Sequence, residues 1–137
     1  MAYDPTDLRS TLPTSSAAAP ERVANSEHVE FRDLPPNEDS TWYARGQNFV
    51  VGYSEVAGGL VIERKDQPDE YVVLLTDDAL SATVRAGEEE VTANGRTMLV
   101  VPPGDSTVTV TGQGRVIRLL TTKSDDVAAL AANAESY

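Results

Sequence analysis

The sequence predicts an all-β fold, a small antiparallel sandwich or barrel, on three observations. Short segments rich in Val, Ile, Thr and Tyr follow one another from residue 41 to residue 121, turn residues punctuate them at close spacing, and no helical period intervenes. The chain of 137 residues lies in the single-domain range, and its hydrophobic fraction of 40% is enough for one core.

Residues 1–27 are rich in Ser, Thr, Ala, Pro and Asp and show no sustained period, so a flexible N-terminal arm is expected, loose or wrapped over a neighbouring subunit. A short strand is expected around His28–Phe31, stopped by Pro35 and Pro36. Barrel strands then follow at Thr41–Arg45, Asn48–Glu55, Leu60–Arg64 and Glu70–Leu75. They continue at Leu80–Arg85, Glu89–Thr92, Thr97–Val101, Ser106–Thr111 and Arg115–Thr121, completing a barrel over residues 28–123. Turn chemistry separates them at Gly58-Gly59, Gln67-Pro68-Asp69, Asp77-Asp78, Ala86-Gly87, Asn94-Gly95, Pro103-Gly104 and Gly112-Gln113-Gly114. Asn94-Gly95 is the sharpest, because a type I′ hairpin needs positive φ at both central residues. One helix is expected within residues 124–137: Ser124 suits an N-cap, and Asp125 and Asp126 suit the first turn. Val127, Leu130, Ala131 and Ala134 then share a face that would lie against the outside of the barrel.

Composition removes several classes of function. A net charge of -11 repels phosphate backbones and anionic lipid, so neither nucleic acid nor a membrane surface is expected as a partner. No apolar run approaches the roughly 20 residues needed to span a bilayer. No basic-then-apolar leader opens the chain, so a cytoplasmic location is expected. The absence of cysteine removes disulfides, thiolate metal sites and cysteine nucleophiles together.

The stretch from Gly58 to Thr111 resembles the cupin family. Gly58 is followed after five residues by Arg64, then by Asp66, then after three residues by Glu70, with Asp77 at the closing position of the family's first motif. Pro102-Pro103-Gly104 supplies the Pro-x-Gly of the second motif, with Arg96 at its opening glycine and Thr107 at its histidine. The resemblance implies a small antiparallel jelly-roll barrel. It also implies that the family's three histidines and one glutamate correspond to Arg64, Asp66, Thr107 and Glu70, of which only Glu70 matches. A guanidinium keeps its proton at neutral pH and cannot ligate a cation. The only histidine, His28, falls outside both motifs, so no metal and no other cofactor is expected.

Asp66 and Glu70 alone would suit Mg²⁺ or Ca²⁺, but a buried Arg64–Glu70 ion pair in place of the metal is the preferred expectation. Arg64, Lys65, Arg45 and Arg118 would hold an organic anion if they faced one cavity. Trp42, Tyr43, Tyr53 and Tyr71 are pocket candidates or core packing. The run Glu88-Glu89-Glu90 reads as a solvated hairpin. The site candidates are therefore Arg64, Asp66, Glu70, Tyr71, Thr107 and Arg118. The expected function is a non-catalytic barrel that binds a small molecule, regulates or assembles, as a homodimer or paired with another cupin barrel. The chain would then correspond to one half of a two-barrel cupin or to the small subunit of a cupin-type dioxygenase. The alternative is a metal-independent isomerase, epimerase or lyase with Glu70 or Asp66 as general base and Arg64 stabilising an anion or enolate.

Overall fold

A computed structural model describes Pro36 and residues 40–137. The arm and the strand expected around His28 lie outside the described residues. Seven antiparallel strands form one sheet: β1 (Thr41–Arg45), β2 (Phe49–Gln67), β3 (Tyr71–Leu75), β4 (Leu80–Ala86), β5 (Glu89–Asn94), β6 (Thr97–Val101) and β7 (Gly104–Thr121). A five-residue helix, α1 (Asp125–Ala129), and a 3-10 turn at Ala134–Ser136 follow.

The expected strands are in place, but two pairs of them are fused. Asn48–Glu55 and Leu60–Arg64 belong to the single 19-residue β2, and Ser106–Thr111 and Arg115–Thr121 to the single 18-residue β7. The glycines between them do not turn the chain back; they bend it. Gly58 and Gly112 stand opposite each other in the β2–β7 ladder with φ of 106° and 101°, a region open to glycine at little cost. Gly112 has a second reason to lack a side chain: a Cβ there would stand 2.0 Å from the carbonyl oxygen of Ala79.

This bent ribbon makes both walls of the fold. Beyond the bend, the C-terminal half of β7 pairs with β3, which pairs with β6, while β1 borders the N-terminal half of β2. The other half of β7 pairs with β4, and β4 with β5. Alternate residues of both walls, among them Val50, Val73, Val101, Val116, Leu80, Val108 and Val110, enter one buried cluster. The sheet is not closed into a barrel. The expected closure fails because β5 and β6 each keep one neighbour: β5 ends its branch at β4, and β6 ends the other at β3.

The outer face of the five-stranded wall is apolar as well. In register across β1, β2, β7, β3 and β6 run Trp42, Tyr53, Ile117, Leu74 and Met98, and beside them Ala44, Val51, Leu119, Val72 and Val100. Met98, Val100 and Leu119 are exposed.

Only part of the expected helical stripe is inside. Val127 and Ala131 are buried and Ala134 packs on the core, but Leu130 is exposed and Ala128 is buried in its place. The helix ends one residue before Leu130, so the 3.6-residue period does not carry to it. Beyond the helix, the Ala132 amide donates to the Tyr43 carbonyl at 2.8 Å, and the Asn133 side chain bonds both the amide and the carbonyl of Arg45 at 2.9 Å. The C-terminal segment is thereby fastened along β1.

Candidate functional site

At the end of the core next to α1, strand alternation directs Tyr43 of β1 and Arg118 of β7 to the same inner face as the core, with Gly52 of β2 between them in register. Glycine at that position leaves room for both large side chains. A Cβ on Gly52 would lie 3.0 Å from Tyr43 Cε1 and 3.4 Å from Arg118 Nε. The guanidinium sits 5.3 Å from the centre of the Tyr43 ring, and its Nη2 donates to the Tyr43 hydroxyl at 2.8 Å.

Arg118 is 5% exposed and its Nε has no hydrogen-bond partner. Among the described residues no carboxylate pairs with it. A buried charge held by a phenol and an aromatic face is short of compensation, because burial strips its water and none of the described residues supplies an anion.

Arg64, near the end of β2, is arranged in the opposite way. Its Nη1 and Nη2 donate to the two oxygens of Asp126 on α1 at 2.6 and 2.9 Å, and its Nε donates to Gln67 Oε1 at 2.8 Å. Gln67 is buried and passes the link on, donating from Nε2 to Ser124 Oγ at 2.8 Å. The Ser124 side chain is thus engaged by Gln67 and does not cap α1, contrary to the expected N-cap bond. The Arg64 hydrogen bond holds the Asp126 carboxyl below the usual carboxylate range, and the same contact raises the affinity of Arg64 for its proton against the opposing effect of burial.

The two guanidiniums border one cavity of about 390 Å³, lined also by Thr41, Tyr43, Leu60, Ile62, Val127 and Leu130. Asp126, largely exposed, stands at its mouth. Tyr71 is buried nearby with its hydroxyl 3.1 Å from Ser106 Oγ; burial pushes the phenol up, opposed by that hydrogen bond and by the positive charges of Arg118 and Arg64. Tyr71 does not line the cavity.

The other sequence candidates lie apart. The expected Arg64–Glu70 pair does not form, since all three guanidinium nitrogens of Arg64 face Asp126 and Gln67 and Glu70 is exposed. Asp66 is exposed too, in a bulge with φ of 47°, its amide donating to Asp105 at 2.9 Å. Thr107 pairs with Glu63 on the opposite face of the ribbon from the core, beside a shallow polar groove with Thr83 and Thr109. The register shift between Arg64 and Gln67 breaks the alternation on which the motif spacing depends, so the four motif positions do not converge. Among the described residues no group of three or more His, Cys, Asp or Glu comes together. Of the four basic residues considered together, Lys65 is exposed beside Asp105 and Arg45 lies over the ring of Tyr137. Asp126 and Gly52 carried no functional signal in the sequence beyond a first-turn acid and an isolated strand glycine.

No family model matches the sequence, and no curated protein matches it. Solved structures do resemble it. Peruvianin-I, a cysteine peptidase from Thevetia peruviana latex, shares 13% identity over 78% of this chain and 76% of its own, with a TM-score of 0.50. A cupin superfamily protein from Desulfitobacterium hafniense shares 11% over 64% of this chain and 83% of its own, with a TM-score of 0.49. KdgF from a Halomonas species shares 15% over 61% of this chain and 78% of its own, with a TM-score of 0.48. At such identities the likeness is one of architecture alone, an antiparallel β fold whose sheet is not closed into a barrel.

Proposed function

We propose that this protein binds a small organic anion in the cavity between β1, β2, β7 and α1 and does no chemistry on it. The observation that carries the proposal is Arg118: a buried guanidinium that borders a cavity, with an unpartnered Nε and no carboxylate among the described residues to balance it. An incoming carboxylate supplies the counter-charge in a place where water screens little. The cavity lies within the size range of small-molecule sites.

A metal-independent isomerase, epimerase or lyase would need a general base within hydrogen-bond reach of the substrate. Neither Glu70 nor Asp66 lines the cavity, which favours the binding reading over that alternative. The peptidase chemistry named for Peruvianin-I has no nucleophile here, because the chain contains no cysteine.

Calorimetric titration of the full chain with benzoate, hexanoate, succinate and phosphate tests the proposal. At least one organic anion is expected to bind, with affinity reduced about tenfold or more in Arg118→Met. Silence across the panel, or equal binding by the variant, would overturn it.

The exposed apolar residues Met98, Val100 and Leu119 at the β7–β3–β6 end of the outer face support a second role, pairing with another copy of the chain. Two uninterrupted apolar rows reach edge strand β6, and no charged residue stands in either. Light scattering at high concentration should give a dimer that Val100→Lys weakens; a strict monomer contradicts this role.

A further inference from the structure

Resting on the anion-binding reading, we infer that the ligand is a monocarboxylate with a compact apolar body, and that the Arg64–Asp126 pair is what restricts it to one charge. Two guanidiniums border the cavity, which at first suggests a dianion. They are not equivalent. All three nitrogens of Arg64 are already engaged, two by Asp126 and one by Gln67, so the fork that would grip a carboxylate is taken and its charge is matched, with only one further N–H on each of Nη1 and Nη2. Among the described residues Arg118 meets no carboxylate, and its contacts there are a phenol and a ring face.

A second ligand carboxylate reaching toward Arg64 would meet the Asp126 carboxylate at the mouth. Like charges at that range cost more than Arg64, already paired, returns. The remaining wall suits hydrocarbon: Leu60, Ile62, Val127 and Leu130 give a branched aliphatic or aromatic body a surface to lie on. An inorganic oxyanion would leave that surface uncovered.

The test compares four probes on the full chain by calorimetry. Benzoate has the charge and the body, terephthalate adds a second carboxylate to the same ring, benzyl alcohol removes the charge, and acetate removes the body. Benzoate is expected to bind at least about tenfold tighter than each of the others. Asp126→Asn frees the Arg64 fork, so terephthalate should gain about tenfold while benzoate changes less than about threefold. Arg64→Gln, which leaves Asp126 without its counter-charge, should move the terephthalate-to-benzoate ratio the other way.

Terephthalate favoured by the wild type, acetate equal to benzoate, or a ratio unmoved by both variants would overturn the inference. Those results leave anion binding intact provided Arg118→Met still abolishes it. If no carboxylate of the series binds, the anion-binding reading falls and this inference falls with it.

Discussion

Gly52 and Arg118 face each other in register on β2 and β7, and the Arg118 Nε lies 3.4 Å from where a side chain on Gly52 would begin. The position of the buried charge therefore depends on a residue with no side chain. In Gly52→Ala the new methyl must also share space with Tyr43 Cε1 at 3.0 Å. Overpacking of this kind is expected to cost about 1–3 kcal/mol and to displace the guanidinium from the Tyr43 hydroxyl. Urea unfolding should register the loss, and calorimetry with benzoate should show weaker binding in the fraction that remains folded.

Arg118→Met separates stability from binding. The substitution keeps most of the side-chain volume and removes a buried charge that no carboxylate among the described residues balances. Removing a buried charge that has no counter-ion relieves its desolvation cost, and a packed apolar group of similar volume keeps the contacts. The variant is expected to unfold at the same urea concentration as the wild type or higher, while losing anion binding. A large drop in stability would mean that the Tyr43 contacts of Arg118 outweigh its burial cost.

Strand positions were legible in the sequence because β propensity and turn residues act over a few neighbours, and alternation then sorts core from surface. Long-range relations were not. Nothing local to Gly58-Gly59 says that Gly112 stands across from it and that the pair bends a ribbon instead of ending two strands. Asp126 reads as a first-turn acid, and its partner Arg64 lies 62 residues away. Arg64 and Arg118 were both visible as candidates, but which of them was already neutralised depended on that distant contact. The motif positions were counted along the chain, and counting fails across a bulge because each extra residue inverts the face presented.

The two bend glycines should respond differently to alanine. At Gly58 nothing lies within 4 Å of an added Cβ, so the cost is the left-handed backbone alone, about 1–2 kcal/mol. At Gly112 the Cβ would overlap the Ala79 carbonyl as well, and the chain must shift. Gly58→Ala is expected to fold with a lowered melting temperature, and Gly112→Ala to be lost from the soluble fraction or to melt far lower. Equal melting temperatures would contradict the close approach of the β3–β4 connection.

Acid sensitivity should involve Asp77. Its carboxylate accepts from the Arg115 amide at 2.8 Å and from the Thr76 hydroxyl at 2.7 Å, which lower its pKa from 3.8 to about 2. Because the folded value is depressed, the stabilisation is complete above 3.8 and disappears as pH falls toward about 2. Thermal melts of wild type and Asp77→Asn should differ most above that window, with the wild type more stable, and converge within it. Curves that stay parallel down to pH 2 would show that the linkage lies elsewhere.

The ribbon of β2 and β7 also constrains how the chain reaches its native state. Each wall of the sandwich takes two neighbouring strands from the same pair, residues 49–67 and 104–121. Neither wall can be assembled first and kept waiting for the other. Forming the ribbon requires closing a long intervening segment before most of the hydrogen bonds that reward closure exist, which makes the folding rate slow for a domain of this size. The same sharing makes unfolding all-or-none: separating β2 from β7 opens both walls in a single event, so fluorescence of Trp42 on one wall should report the whole transition.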